Sequence, residues 1–316
     1  MTSSPVSWSL LTEKLTSGLD LERNEIQGAM REILSGQSDI DSVKSFLLAL
    51  KAKGETSDEV GALVEVMYAN AAPINITERA VDTVGTGGDG AHTINISTTA
   101  AIIAASAGAR VVKHGNRAAS SKSGSGDLLE ALGVAITLDG KAVEKTVSEL
   151  GIGFCFAPIF HPAMRFAAPA RKELGIPTVF NILGPLANPA KPQAAAIGVA
   201  DDRMHLVMAE VLATRGVDGF VFRGDDGLDE ITLATTTSVL ILEMAKSRAI
   251  ASMLMILELH MRPSKPLLGE TRPRMQKLAE RSLRVNEVRH GMRFYSTQQL
   301  PLQLLKATST KIFERD

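Results

Sequence analysis

The chain of 316 residues has one cysteine, one tryptophan and two tyrosines, and none of its apolar runs approaches 18 residues. A single cysteine excludes an internal disulfide, and Cys155 stands in a short apolar run, where we expect a buried, inert thiol. The short apolar runs exclude a membrane-spanning helix. The first residues also lack the basic and apolar regions of a secretory leader, so we expect a cytoplasmic protein.

An excess of charge of either sign is missing as well. The 34 Lys and Arg against 35 Asp and Glu give a net charge of −1, which argues against nucleic acid or a membrane surface as the main partner. No second His or Cys stands at ligand spacing from His114, so the sequence predicts no transition-metal site. Hydrophobic residues at 45% and charged residues at 22% are ordinary for a soluble enzyme.

The pattern of apolar residues changes along the chain. Residues 8–71 predict four helices and no strand, with a capping box at Thr56-x-x-Glu59. From residue 80 onward strands and helices alternate, which is typical of a mostly parallel sheet covered by helices. We predict an α/β protein with a small all-helical N-terminal domain and a larger, mostly parallel α/β domain. The predicted strands are 80–84, 110–113, 134–138 and 153–157, and the predicted helices between them are 97–107, 126–132 and 141–150.

The most informative segment runs from Val81 to Asp89 and reads Val-Asp-Thr-Val-Gly-Thr-Gly-Gly-Asp. A strand here leads into a glycine-rich turn and then toward an Ala-rich helix. Bare backbone N–H groups and the positive end of a helix then converge on one point, which favours an anion such as phosphate. The spacing matches neither G-x-G-x-x-G nor G-x-x-x-x-G-K-[ST], so the dinucleotide and P-loop fingerprints are absent. Taken alone, the segment is also compatible with a simple turn.

Three further segments carry candidate chemistry, and each has a plainer interpretation. The loop from Lys113 to Asp127 holds three cations, glycines and hydroxyls, which suits phosphate oxygens or simply a solvated loop. Arg171, before the Gly- and Pro-rich segment 180–189, suits a carboxylate or a surface ion pair. Asp229 and Glu230, in an acidic stretch, suit Mg²⁺ or an ordinary acidic turn.

Taken together, these strings closely resemble the anthranilate phosphoribosyltransferase family, in unbroken order over residues 8 to about 243. The strings are Asp82-Thr-x-Gly-Thr-Gly-Gly-Asp89, Asn95-Ile-Ser-Thr98, Lys113-His-Gly-Asn-Arg-Ala-Ala-Ser-Ser121, Asn181-Ile-Leu-Gly-Pro-Leu-x-Asn-Pro189 and Gly227-Leu-Asp-Glu230. The resemblance implies Mg²⁺-dependent transfer of phosphoribose from phosphoribosyl pyrophosphate (PRPP) to the amine of anthranilate, in tryptophan biosynthesis. It also implies a homodimer and two Mg²⁺ per monomer.

The resemblance also implies site residues. Anthranilate would contact Gly85, Asn116 and Arg171, with Arg171 on its carboxylate, and Mg²⁺ would be held by Ser97, Asp229 and Glu230. No covalent nucleophile is expected, because the anthranilate amine is itself nucleophilic and the enzyme needs mainly positioning and leaving-group stabilisation. The expected PRPP-binding residues are Gly85, Gly88, Asp89, Thr93, Asn95, Ile96, Ser97, Thr98, Lys113, His114, Gly115, Asn116, Arg117, Ala118, Ala119, Ser120, Ser121 and Ser125.

The composition changes after Glu243. The last 73 residues carry 14 Lys and Arg against 6 Asp and Glu, a net charge of +8, whereas residues 1–243 carry −9. Read in a shifted frame, the stretch 268–276 permits Gly-Gly-Asp-Pro-Ala-Glu-Asn-Ala, which resembles a C-terminal string of the family. A basic tail for nucleic acid is an alternative explanation. We predict a frameshift near codon 243 or 244, and therefore divide the chain into a helical dimerisation domain at 1–75, an α/β transfer domain at 76–243 and an out-of-frame tail at 244–316.

Two other functions fit parts of the sequence. A pyrimidine-nucleoside phosphorylase would share the architecture and the anion chemistry, but phosphorolysis of an uncharged nucleoside does not need Asp89, Asp229 and Glu230. A non-catalytic nucleic-acid-binding relative would show a basic surface, but residues 1–243 are acidic. We also expect the literal chain to fold poorly or to be inactive, because a foreign tail would leave apolar sheet surface uncovered.

Overall fold

The computed structural model of the chain describes residues 6–118 and 123–243. The predicted tail at 244–316 lies outside the described residues, as do Ala119, Ser120 and Ser121. Within the described part, no helix combines the length and apolar character needed to cross a membrane.

Four helices form the first part of the described chain, as predicted. They are α1 (Trp8–Thr16), α2 (Arg23–Ser35), α3 (Ile40–Lys53) and α4 (Ser57–Ala69). Their apolar faces meet in one core that includes Leu15, Met30 and Phe46, and the Trp8 ring packs edge-on against Phe46 at 5.6 Å between centroids. The same core continues into the α/β part of the chain.

The predicted capping box begins α4. Thr56 Oγ1 accepts the backbone N–H of Glu59 at 3.3 Å, and Glu59 Oε2 accepts the backbone N–H of Thr56 at 3.0 Å. Glu59 is buried, and its other oxygen accepts the N–H of Leu21, so the cap also fixes the loop between α1 and α2. Lys53 Nζ, at 2.8 Å from Glu59, neutralises the carboxylate.

Strands and helices alternate after residue 80. The strands are β1 (Val81–Gly85), β2 (Val111–Gly115), β3 (Ile152–Phe156), β4 (Ala194–Gly198), β5 (Asp218–Gly224) and β6 (Thr237–Leu242). The helices are α5 (Ile96–Ser106), α6 (Ser125–Ala131), α7 (Gly140–Leu150), α8 (Ala157–Phe160), α9 (Ala168–Leu174), α10 (Phe180–Leu186) and α11 (Asp202–Thr214), with a 3₁₀ helix at Pro162–Phe166.

These strands form a six-stranded sheet in the order β3-β2-β1-β4-β5-β6, with β1 to β5 parallel and β6 antiparallel to β5. The predicted mostly parallel α/β fold is therefore confirmed. The order reverses direction at β1, since the chain continues from β1 to β2 and β3 on one side and then places β4 and β5 on the other. Ligands in open α/β sheets bind at such a switch point, outside the carboxyl ends of the strands.

The predicted strand at 134–138 is wrong. This segment, Val-Ala-Ile-Thr-Leu, has no regular secondary structure and connects α6 to α7. Its alternating pattern comes from packing, because Ile136 is buried beside Phe154 and Phe156 while Val134 is exposed. The edge position beside β2 is taken by β3, so the segment has no strand partner. Cys155 on β3 is fully buried and free, as expected, and burial raises the pKa of its thiol.

Candidate active site

The glycine-rich turn follows directly from the carboxyl end of β1. Gly87 and Gly88 take φ of 68° and 84°, values that L-residues other than glycine rarely adopt, and this lets the backbone fold back on itself. Gly85 needs to be glycine for a second reason, since a Cβ there would overlap the Asp229 carboxylate. The turn is thus built around a side chain that is 142 residues away in sequence.

Asp229 lies in the loop between β5 and β6 and contacts the glycine turn. Its Oδ2 accepts the backbone N–H of Gly87 at 2.7 Å, and it stands between the ends of β1 and β4, where a Cβ on Gly198 would overlap its carbonyl oxygen. The distant acidic pair and the glycine turn therefore share one site, as the resemblance requires.

Three carboxylates crowd this site. Burial and the nearby charge of Asp89 raise the pKa of Asp229 to about 7. Burial and Asp229 raise the pKa of Glu230, even though Glu230 accepts the backbone N–H of Ser97. Asp89 Oδ2 is buried and accepts no hydrogen bond. Such mutual repulsion is relieved by a bound cation.

The first turn of α5 borders the carboxylates. Asn95 is its N-cap residue and donates its Nδ2 to the carbonyl of Ser123 at 2.9 Å, which ties α5 to the loop before α6. Asn95 Oδ1 and Thr98 Oγ1 are buried with no hydrogen-bond partner. Ile96, Ser97 and Thr98 form the first turn of α5, and Thr93 lies just before it. Free polar atoms at a helix N-terminus suit phosphate oxygens.

Lys113 lies next to the first turn of α5. Its side chain on β2 is buried, and the ammonium donates to the carbonyl of Thr83 and to Ser97 Oγ, the latter at 3.3 Å. Desolvation lowers the pKa of Lys113, while the charges of Asp82 and Glu230 oppose that shift. The ammonium therefore lies among acidic groups and touches one of the expected metal ligands.

The chain after Lys113 does not place all of its polar groups in the site. His114 is buried, with Nδ1 at 2.9 Å from the carbonyl of Gly184, and its ring packs edge-on against His161. Burial lowers the pKa of His114 to about 3. Arg117 turns toward α6, where its guanidinium pairs with Glu130 through both nitrogens at 2.7 and 2.9 Å and with Asp127 at 3.2 Å.

The loop that carries Arg117 closes on the start of α6. The carbonyl of Asn116 accepts the N–H of Gly126 at 3.0 Å, the N–H of Ala118 is accepted by Asp127, and Gly115 lies against Ser125. The expected phosphate-binding residues at 113–118 and Ser125 are thus grouped, with the Arg117 charge neutralised by acidic neighbours.

Arg171 is on α9, and its guanidinium lies over the Phe180 ring at 5.6 Å from the centroid. Within residues 6–118 and 123–243 it forms no ion pair, so the structure gives no support to a surface salt bridge. Burial lowers its pKa. Phe180 begins α10, whose Gly184 is bound to His114. Arg171 is therefore linked to the Lys113 loop through α10.

A cavity of about 350 Å³ lies next to the glycine turn and reaches the helical part of the chain. It is bounded by the end of α3, the start of α10 and the start of α11. Sequence reasoning did not anticipate this cavity. Its lining residues are Lys51, Glu55, Thr86, Gly87, Gly88, Asp89, Pro177, Thr178, Val179, Asn181, Ile182, Ala200, Asp201, Arg203, Met204 and Gly227.

Sequence reasoning also assigned no role to two buried residues near the site. Asp82 and Asn188 both occur in the strings that carry the family resemblance, but the sequence gives no sign that they meet. In the structure Asn188 Nδ2 donates to Asp82 Oδ2 at 2.8 Å across 106 residues of chain. Long-range pairing of this kind is invisible in a single sequence.

Comparison with known proteins decides the family. The helical bundle domain of the glycosyl transferase family matches residues 10–71, and the a/b domain of the same family matches residues 77–269. An anthranilate phosphoribosyltransferase of Nocardioides sp. is 55% identical over 231 residues, which cover 73% of this chain and 68% of that protein. The chain belongs to the anthranilate phosphoribosyltransferase family.

Solved structures of this family share the fold. The crystal structure of the Thermus thermophilus enzyme is 40% identical, with a TM-score of 0.79, and the match covers 88% of this chain and 83% of that one. The enzyme from Saccharomyces cerevisiae in complex with PRPP and Mg is 27% identical with a TM-score of 0.78, covering 88% of this chain and 81% of that one. Alignments with the first curated relatives span 64% to 68% of their own lengths.

Mg²⁺ fits the residues that are present. Asp229 and Glu230 supply two adjacent carboxylates, Asp89 adds a buried oxygen that accepts no hydrogen bond, and Ser97 supplies a hydroxyl. Within the described ranges no group of three or more His, Cys, Asp or Glu side chains is placed to hold a metal ion by itself. Mg²⁺ prefers such incomplete sites, where one or two carboxylates act together with substrate phosphates.

Proposed function

We propose that this protein transfers phosphoribose from PRPP to the amine of anthranilate, giving N-(5-phosphoribosyl)anthranilate and pyrophosphate. The observation that carries the proposal is the contact between Asp229 and the Gly87 N–H, which joins an acidic pair to an anion-binding turn at the switch point of the sheet. The relatives from Nocardioides sp. and Thermus thermophilus bear this activity in their names.

The backbone and the cations would bind and orient PRPP. The turn at 85–89 and the first turn of α5 present N–H groups and hydroxyls to its phosphates, while Lys113 supplies buried positive charge from below. Asp229 and Glu230, with Ser97, would hold the Mg²⁺. When bound, Mg²⁺ would neutralise the negative charge that develops on the departing pyrophosphate.

Anthranilate would approach from the α9–α10 side. Arg171 has no carboxylate partner of its own in the described part of the chain, and its planar guanidinium suits the anthranilate carboxylate. In the transfer, the amine nitrogen forms a bond to the anomeric carbon of ribose as the bond from that carbon to the pyrophosphate oxygen breaks. The amine then loses one proton. The chain would act through position and electrostatics, without a covalent intermediate.

We further propose a homodimer, two Mg²⁺ per monomer and a cytoplasmic location. Leu10 on α1 and Leu48 on α3 are 64% and 44% exposed, on two helices that pack against each other, and a second copy would cover such exposed apolar side chains. Light scattering coupled to gel filtration gives the mass directly, and a monomer at micromolar concentration would contradict the dimer. The proposed domains, 1–75 and 76–243, would meet beside the cavity.

The frameshift after Glu243 also stays a proposal. Resequencing the gene around codons 243 and 244 tests it, and a clean read that keeps the present frame would refute it. The activity test uses both the literal chain of 316 residues and a frame-restored chain. Each is supplied with anthranilate and PRPP, with and without Mg²⁺, and product is followed by fluorescence. We expect Mg²⁺-dependent product from the frame-restored chain and low soluble yield of the literal one. A frame-restored chain that is folded but makes no product would refute the proposed function.

A further inference from the structure

β1 and β2 are neighbours in the sheet, yet they pair only at their amino ends. The register between them consists of Val81 opposite Val111, whereas β1 and β4 pair over five residues, from Val81 opposite Ala194 to Gly85 opposite Gly198. The strands therefore separate toward their carboxyl ends, beside the proposed PRPP site. Separated strands leave backbone groups that need other partners, because a buried unpaired polar group is costly.

Side chains take over where the strand pairing stops. Asp82 on β1 reaches across, and its Oδ1 accepts the backbone N–H of His114 on β2 at 3.2 Å. Asn188 enters between the strands, and its Nδ2 donates to the carbonyl of Val112 on β2 and to Asp82 Oδ2, both at 2.8 Å. Asn188 Oδ1 accepts the N–H of Ala190 at 3.0 Å. Each side-chain polar atom of this pair thus has a partner.

The pair also fastens the α10 segment to the sheet. Asn188 follows α10 by two residues, and Gly184 within α10 is bound to His114, the residue whose N–H Asp82 accepts. Asp82 and Asn188 are 2% and 3% exposed, so water does not compete for these bonds. Two attachments, at Gly184 and at Asn188, therefore fix α10 relative to β1 and β2.

We infer that Asp82 and Asn188 are positioning residues, which hold the carboxyl ends of β1 and β2 apart and fix α10, with Phe180 and the neighbouring Arg171, at the distance that anthranilate requires. This inference rests on the proposed function, because it assigns the α10 side of the opening to anthranilate. Neither side chain needs to touch a substrate. The Mg²⁺ and PRPP side depends chiefly on the contact of Asp229 with Gly87, which Asn188 does not touch, so Asn188→Ala should affect it less. Asp82→Asn also removes a charge near Lys113 and is the less selective of the two changes.

The chain offers a matched control at the opposite end of the sheet. Gln193 Oε1 accepts the N–H of Ala80 at 3.1 Å, just before β1, and the carbonyl of Gln193 accepts the N–H of Asp218. It is also a side-chain bridge to β1, but it lies at the amino ends of the strands and far along β1 from the glycine turn. Gln193→Ala should therefore reduce stability without altering the site.

The test compares Asn188→Ala, Asp82→Asn and Gln193→Ala in the frame-restored chain and, where soluble, in the literal chain. We expect Asn188→Ala and Asp82→Asn to lower kcat/KM for anthranilate by about tenfold or more, the effect of one unsatisfied buried polar group. In Asn188→Ala the Kd of PRPP with Mg²⁺, from calorimetry, should change by less than about threefold, which is about half of the ~1.36 kcal/mol that corresponds to a tenfold change. Gln193→Ala should keep wild-type kinetic constants.

Equal losses in all three variants, or folded Asn188→Ala and Asp82→Asn with wild-type kinetics, would overturn the inference. Should both site variants fail to fold, hydrogen exchange on the unmutated chain decides. The amides of His114 and Ala190 should then exchange as slowly as those of β4. Faster exchange of these two amides, by local opening, would contradict the role. An unmutated chain that makes no product but shows this protection would refute the proposed function and the anthranilate role with it, while the attachment of α10 to β1 and β2 would stand.

Discussion

Glu59 in the helical part and Asp229 in the site are both buried carboxylates, but their surroundings are opposite. Glu59 has a cation, Lys53, at 2.8 Å and accepts the N–H groups of Leu21 and Thr56. Asp229 accepts one turn N–H and otherwise faces Asp89 and Glu230. A buried carboxylate stabilises the fold where a cation neutralises it, as at Glu59. Where other acids surround it, as at Asp229, it suits the binding of a cation.

Stability and ligand binding depend on different parts of the molecule. In the capping box of Thr56 and Glu59 the polar groups are satisfied internally, and the start of α4 gains a fixed geometry from that. At the carboxyl end of β1 and the start of α5, acidic groups repel one another and several buried polar atoms have no hydrogen-bond partner. Repelling acids and buried polar atoms without hydrogen bonds are typical of functional sites, where a bound ligand supplies the opposite charge and the hydrogen bonds.

The largest expected effect is on Asp229. Asp229→Asn removes a charge from the acidic pair but keeps its shape and its contact with Gly87. Because a metal contributes several kcal/mol to the transition state, we expect a loss of about a thousandfold in kcat/KM at saturating PRPP. Unfolding in urea should show stability equal to or above that of the unmutated chain. Asp225→Asn, an exposed neighbour, is the control and should be near wild type.

The converse substitution is Glu59→Ala. It removes the buried one of the two carboxylates that pair with Lys53, whose side chain is only 4% exposed, and Asp20 remains as the exposed partner. It also leaves the N–H of Leu21 without its acceptor. Removing one partner of a buried ion pair costs about 3 kcal/mol of unfolding free energy. Kinetic constants measured well below the melting temperature should not change. Loss of activity with unchanged stability would show that Glu59 serves the reaction and not the fold.

Protonation of His114 should weaken the fold at acid pH. Its pKa falls from about 6.5 in the unfolded chain to about 3 in the folded one, so the unfolded chain binds the proton first. The stability of the neutral form is fully present above pH 6.5 and is lost as pH falls toward 3. At about pH 5 the loss relative to about pH 7 is about 2 kcal/mol. His114→Asn should flatten the pH dependence of urea unfolding in this window, and an equally steep profile would show that His114 is not its source.

A smaller effect is expected at Arg171. Arg171→Lys keeps the charge but loses the planar fork and the stacking on Phe180. We expect KM for anthranilate to rise about tenfold with little change in kcat, which corresponds to the loss of one charge-assisted bond. Initial rates at varied anthranilate measure this. Lys172→Arg, on the exposed side of α9, is the matched control. Equal changes in KM for Arg171→Lys and Lys172→Arg would show that Arg171 does not bind anthranilate.

Much of the fold follows from local pattern. The four helices, the capping box at Thr56 and Glu59, and the strands around the glycine turn were predictable, because helical and strand periodicity and cap chemistry act over a few residues. The strand predicted at 134–138 was wrong for the opposite reason. Its alternation is real, but whether an extended segment joins a sheet depends on a free neighbouring edge, which local sequence does not report.

The site shows the same division. Gly85, Ser97, Lys113 and Asp229 were named from their strings, and the structure brings them together. The direction of Arg117 was not predictable, because it depends on contacts across the start of α6. The meeting of Asp82 with Asn188 was not predictable either. Hydrogen bonds formed between distant parts of the chain depend on how strands are ordered in the sheet.

By itself, the sequence determined the four N-terminal helices, the strand and glycine turn at the start of the α/β part, and which residue types are available to bind phosphate and metal. Only the tertiary structure decided which acids crowd together, which cation is already neutralised and how far β1 and β2 separate. The physical reason is that conformational preference is set by neighbours in the chain. Charge, burial and hydrogen-bond partners, in contrast, are set by neighbours in space.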